Sequence, residues 1–207
     1  IICPGGGYGF VSPREAEPIA LRYCGAGFHT FILDYSTAPA GWPAACCELA
    51  KAVAYVRSIA EEHHIDKDKI VVCGFSAGGH LAASLGVHYD KEEIQAFSGV
   101  SGAESRPDGM ILGYPVITDE AAKTHVGTME NFAAGREDVL SYFGLERHVT
   151  KDTPKTFLWH TFSDGAVPVE SSMRFASALL ENGVQYELHI FPEGEHGLSL
   201  ASRVTSS

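Results

Sequence analysis

The chain has 207 residues, 45% of them hydrophobic and 20% charged, which suits one globular domain with a sizeable core. Fifteen basic residues against 26 acidic ones give a net charge of −11, which argues against nucleic acid and anionic membrane surfaces as partners. No apolar run approaches the ~20 residues that span a bilayer, and no signal peptide is expected.

Five cysteines (Cys3, Cys24, Cys46, Cys47, Cys73) without a C-x-x-C pair make neither a disulfide framework nor a zinc site. They read as buried small hydrophobes of a reducing, cytoplasmic compartment. No metal or cofactor is expected.

In chain order, Ile1-Ile2-Cys3 already reads as a strand with no lead-in, so earlier strands of the domain are expected to be missing. Pro4-Gly5-Gly6-Gly7-Tyr8-Gly9 follows. Three glycines after a strand either make a flexible loop or leave backbone N–H groups bare above the sheet edge. Ser12-Pro13-Arg14-Glu15 predicts a helix start, with serine as N-cap, proline in the first turn and glutamate closing a capping box. That helix should run through Ile19 and Tyr23 to Gly25 or Gly27. Residues 28–34 predict a strand. A helix begins at Pro43, with Leu49, Val53, Val56 and Ile59 at helical spacing, and ends near His63-His64. Neighbouring histidines on a helix diverge, so that pair reads as a solvated end rather than a metal site.

Ile70-Val71-Val72-Cys73 is the next strand, and it runs straight into Gly74-Phe75-Ser76-Ala77-Gly78 and a helix from His80. Strand, tight turn with serine at its apex, then helix is a nucleophile elbow. Side chains two residues either side of the serine would collide, so Gly74 and Gly78 are steric requirements. The pentapeptide alone is a weak signal; its place between strand and helix makes it strong. Residues 89–106 carry no clear period. Residues 108–112 predict a strand, and residues 116–154 a lid-like excursion of short helices and loops. Residues 155–161 predict a strand, with Asp164 in the turn behind it. Residues 169–181 predict a helix closed by Asn182-Gly183, and residues 185–191 the last strand, with His196 in the loop beyond.

Six strands separated mostly by helices predict an α/β fold, a mostly parallel sheet with helices on both faces. The triple-glycine loop, Ser76, Asp164 and His196 each follow a strand, so they share the sheet edge where ligands gather. A serine hydroxyl needs a base in hydrogen-bond reach and a third group to orient that base. In a nucleophile-elbow architecture the order is serine, acid, histidine. Beyond Asp164 only His189 and His196 remain, and His189 lies inside a strand. Glu193 and Glu195 stand too near His196 in sequence to reach round it. Ser76, Asp164 and His196 are therefore the candidate catalytic residues, with the N–H groups of Gly6, Gly7 and Ala77 as candidate oxyanion donors. Asp164 before glycine is also what any turn looks like.

PGGGY at 4–8, GFSAGG at 74–79, RPDGMILGYPVIT at 106–118, TPKTFLWHTFSDGAVPVESS at 153–172 and ELHIFPEGEHGL at 187–198 together resemble the α/β-hydrolase esterases. Among these the chain looks most like the bacterial xylan esterases and lipase/esterase-like hydrolases. Five segments in order, across nearly the whole chain, are far more specific than the elbow. The resemblance implies an α/β-hydrolase fold and a serine carboxylesterase acting through an acyl-enzyme on short-chain esters, such as acetyl groups on sugars or xylo-oligosaccharides. It implies the same roles for Ser76, Asp164, His196, Gly6, Gly7 and Ala77, and a small-molecule ester as partner, with a homodimer left open. The chain departs from the pattern in its missing early strands and in Cys3, where many relatives have histidine. Two other readings stand beside this one. A peptidase or amidase of the same fold would use the same residues, but a propeller or second domain to gate peptides is not expected. A non-catalytic hydrolase-like binding protein usually has a damaged triad, and here every position is filled. Tyr8, Trp42, Tyr114 and the aromatics of 116–143 either line a substrate pocket or belong to the core.

Overall fold

The computed structural model describes residues 1–202. Five parallel strands form one sheet in the order of the chain: β1 (Ile2–Cys3), β2 (Val71–Phe75), β3 (Gly109–Gly113), β4 (Thr156–Thr161) and β5 (Tyr186–Phe191). The helices between them are α1 (Glu17–Gly25), α2 (Ala44–Ser58), α3 (Ala77–His88), α4 (Glu92–Ser98), α5 (Gly102–Ser105), α6 (Val126–Ala133) and α7 (Glu170–Glu181). The α4–α5 pair fills the stretch where the sequence shows no period. α5 is a single turn held by a capping box, Ser101 to Glu104.

The sixth expected strand, 28–34, is reduced to an isolated bridge between Ile32 and Ile2. Phe31 O accepts from Ile2 N and Leu33 N donates to Ile2 O. A two-residue β1 offers no longer ladder for it to join.

Alternation along the strands gives the sheet two apolar faces. Cys3, Val72, Met110, Leu112 and Leu158 join the larger core, with Leu49 and Val53 of α2, Leu81 and Leu85 of α3 and Phe175 and Leu179 of α7. Ile2, Cys73 and Phe75 face the other way, against Ile19 and Ala20 of α1 and Tyr114. Helices thus lie on both faces, though mainly on one. Residues 116–154 form α6 and three short 3₁₀ turns, and bury Phe132, Val139, Phe143 and Leu145 in the larger core. Tyr8, Trp42 and Tyr114 are also buried, so these aromatics serve the core. Four cysteines are buried and Cys24 is exposed, contrary to the uniform burial expected of them; all five are free. Among the described residues, no helix is long and apolar enough to cross a membrane.

The register aligns the strand ends. Cys3 pairs with Gly74, Phe75 with Gly113, Gly113 with Trp159, and Thr161 with Phe191. The loops beginning at Pro4, Ser76, Tyr114, Phe162 and Pro192 therefore leave one edge.

Two histidines are buried in α3. His80 Nε2 donates to Phe143 O (3.1 Å), which leaves Nδ1 to accept from Tyr8 Oη (3.0 Å) and Ser84 Oγ (3.3 Å). Burial lowers its pKa to about 4, although the Phe143 carbonyl works in the opposite direction. His88 Nε2 donates to Tyr142 O, and burial, then the neighbouring His148, bring it to about 3. Because both folded values lie below the unfolded value of ~6.5, the unfolded chain binds more protons between them. Stability is then full above pH 6.5 and is lost as pH falls. At pH 5, His80 alone should remove about 2 kcal/mol relative to neutrality. Urea midpoints at pH 7 and pH 5 check this; equal midpoints would refute it.

Candidate active site

β2 ends at Phe75 and α3 starts at Ala77, so Ser76 alone makes the turn, at φ 53° and ψ −119°. That backbone conformation is costly for a residue with a side chain and persists only where the surroundings impose it. Here they do. Ser76 N donates to Gly113 O, while Ser76 O accepts from Val116 N and His80 N. A Cβ at residue 78 would lie 2.0 Å from Cys3 O, so glycine is required for α3 to meet the end of β1.

The three candidates form one hydrogen-bonded chain. Ser76 Oγ donates to His196 Nε2 (2.8 Å), and His196 Nδ1 donates to Asp164 Oδ2 (2.7 Å). Asp164 Oδ1 accepts from the N–H groups of Ala166 and Val167, both at 2.9 Å. His160 Nε2 lies 3.4 Å from Asp164 Oδ2, but its proton goes mainly to Val167 O at 2.9 Å. Burial alone would raise the Asp164 pKa. The nearby His160 Nε2–H and the hydrogen bonds from His196 and the Val167 N–H outweigh it and hold the carboxyl well below the usual carboxylate range. The acid is thus ionised at neutral pH, and it fixes the His196 tautomer that leaves Nε2 free to accept. Ser76 and Asp164 are buried and His196 half-buried. His189 lies in β5 with Glu187, and Glu193 and Glu195 are exposed.

The glycine loop is clamped. Tyr35 Oη donates to Pro4 O (2.6 Å), Gly5 N donates to Glu15 Oε2 (2.8 Å), and Asn131 Nδ2 donates to Gly7 O (2.9 Å). Gly6 O accepts from the N–H groups of Gly9 and Phe10, which closes the turn. The N–H groups of Gly6, Gly7 and Ala77 meet no acceptor among the described residues. Gly6 has φ +124°, and a Cβ there would stand 2.0 Å from Phe10 O.

Sequence reasoning missed Gly5, whose Cβ would lie 3.0 Å from Ser76 Cβ, and it misassigned Glu15. Ser12 makes no side-chain cap, and Glu15 turns inward to Gly5 and to Tyr114 Oη (2.6 Å). A groove of about 920 Å³ on the α1 side of the sheet is lined by Phe157, Trp159 and Phe191, and touches none of Ser76, Asp164 and His196. Among the described residues, no group of three or more His, Cys, Asp and Glu side chains is placed to hold a metal ion.

The chain is 37% identical over 98% of its length to the endo-1,4-beta-xylanase B of Butyrivibrio fibrisolvens, and spans 32% of that protein. It is 27% identical over 96% of its length to the acetylxylan esterase of Xylanibacter ruminicola, spanning 40% of it. It therefore covers less than half of either relative. Among solved structures, the acetyl ester-xyloside bifunctional hydrolase from Caldicellulosiruptor lactoaceticus superposes with a TM-score of 0.87 at 40% identity, over 97% of this chain and 74% of that one. The carboxylesterase Cest-2923 from Lactobacillus plantarum does so with a TM-score of 0.87 at 32% identity, over 100% and 75%. The BD-FAE family model matches residues 1–179. On that match and these likenesses, the chain belongs to the BD-FAE family and has the α/β-hydrolase fold.

Proposed function

We propose that the protein is a serine carboxylesterase that removes short acyl groups, acetyl groups on xylose-based sugars foremost. The observation that carries this reading is the Ser76–His196–Asp164 chain at 2.8 and 2.7 Å, with a glycine loop whose Gly5 abuts Ser76 and whose Gly6 and Gly7 N–H groups meet no acceptor among the described residues.

In the proposed cycle His196 Nε2 takes the Ser76 proton as Oγ attacks the ester carbonyl. The oxyanion meets the N–H groups of Gly6, Gly7 and Ala77, and Asp164 stabilises the imidazolium. The tetrahedral intermediate collapses as Nε2 returns the proton to the departing alcohol, leaving an acyl-Ser76. Water, deprotonated by the same nitrogen, then releases the acid.

The substrate class draws on the relatives named for acetylxylan and acetyl ester hydrolysis. The xylanase relative does not redirect it, because only a third of that protein corresponds to this chain. Glycosidic cleavage usually needs two carboxylates flanking one bond, whereas Asp164 is occupied by His196 and two backbone N–H groups. The free thiols suit a reducing, cytoplasmic setting.

Ser76→Ala should lower kcat for p-nitrophenyl acetate by about 10⁴–10⁶ without loss of fold. A fluorophosphonate should label the parent and not this variant; labelling of another serine would end the assignment. Asp164→Asn should cost up to ~10⁴ by favouring the wrong imidazole tautomer. A larger loss in Glu193→Gln or Glu195→Gln would place the acid elsewhere. In the loop, Gly6→Ala must displace Phe10 O and should lose about 10²–10³ in kcat. Gly9→Ala, whose Cβ would sit 3.4 Å from Asn131 Nδ2, should be much milder. Equal, small effects at both positions would reduce the loop to a hinge.

A further inference from the structure

Glu15 closes the 3₁₀ turn after the glycine loop and is 2% exposed. Burying a carboxylate is costly unless it is paired or hydrogen-bonded. Among the described residues no cation lies within ion-pair distance of it, and its hydrogen bonds are the two from Gly5 N and Tyr114 Oη. Its place in the sequence suits a capping box, which does not form. The helix start therefore does not explain it.

What Glu15 joins is more informative. Gly5 is wedged between this carboxylate and the elbow: a Cβ at Gly5 would lie 2.7 Å from Glu15 Oε2 and 3.0 Å from Ser76 Cβ. Tyr114 follows β3 directly, at φ +37°, and is buried. Its ring meets the His196 imidazole edge-on, with centroids 5.0 Å apart and planes at 72°. Its hydroxyl donates to Glu15 Oε1 and accepts from Ser199 N (2.9 Å), three residues past His196. Ser199 Oγ returns to Arg14 O (2.6 Å). The circuit Glu15–Tyr114–Ser199–Arg14 closes on itself, and Gly5 hangs from it.

We propose that Glu15, acting through Gly5 and Tyr114, is a positioning residue for the ester-hydrolysis reaction assigned above, on which this inference rests. One side chain fixes the glycine loop at its distance from Ser76 and also seats the ring that backs His196. The two halves of the machinery, donors for the oxyanion and base for the proton, are thereby held in one register. Neither Glu15 nor Tyr114 touches the reacting atoms in this role.

The test compares the parent with Glu15→Gln, Tyr114→Phe and the double variant, using p-nitrophenyl acetate and urea unfolding. Glu15→Gln keeps the shape and one acceptor oxygen; Tyr114→Phe keeps the ring against His196. Each folded variant should lose about 10- to 100-fold in kcat, as expected for sub-ångström misplacement, with KM within about twofold. The double variant should be no worse than about the poorer single one, because the residues act as a unit. A fall in the urea midpoint with kcat kept within about threefold would assign the network to stability alone and overturn the proposal. Failure of both single variants to fold would do the same. If the parent is inactive, or Ser76→Ala stays active, the esterase reading fails instead. If the parent and Ser76→Ala behave as expected while Glu15→Gln and Tyr114→Phe match the parent, only the positioning role fails.

Discussion

A Cβ on Gly78 would lie 2.0 Å from the carbonyl oxygen of Cys3 and 2.4 Å from that of Pro4. The first turn of α3 and the end of β1 therefore touch backbone to backbone, and the placing of the glycine loop against Ser76 depends on that contact. It sets the glycine loop, which starts at Pro4, beside the serine that starts the helix. It also confines Ser76 to a conformation that strand and helix jointly enforce, aiming Oγ out of the turn. Even one methyl group at this contact would force the sheet and the helix apart, since packed interiors hold no spare space.

Around that contact, order comes from buried polar groups with specific partners. His80, Glu15 and Asp164 are all buried, and each makes at least two hydrogen bonds to loops of the active edge. A buried polar group left unpaired costs about 1–3 kcal/mol, so each of these side chains penalises displacement of the loop it holds. Apolar packing brings the helices onto the sheet but does not choose among loop arrangements within an ångström of each other. Directional bonds to Pro4 O, Gly5 N and Gly7 O do.

The parts legible in the sequence were those with local signatures. The apolar runs at 70–73 and 155–161 and the glycine-flanked serine announce themselves within a few residues. Asp164 and His196 could be placed because each follows a strand, and the parallel register brings those strand ends to one edge. Glu15 was misread for an instructive reason. Three residues after a serine it matches a local capping rule, but its partner Tyr114 lies 99 positions away, and that bond prevailed. Residues 28–34 have the composition of a strand, yet strand pairing depends on the neighbour's length, which composition does not carry. Cys24 was expected to be buried on residue type alone, and its place on the outer side of α1 is a property of packing.

The stretch 116–154 is hydrogen-bonded to the elements around the glycine loop. Phe143 O receives the His80 proton, Asn131 holds Gly7 O, and Phe132 O receives Trp42 N. Swinging this stretch away as a flap would strand a buried imidazole and loosen the glycine loop in the same motion. The stretch could not swing away without releasing the Gly7 carbonyl from Asn131. Residues 116–154 are thus tied at three points to α3, the glycine loop and the turn before α2, and would have to break all three bonds to move as a body.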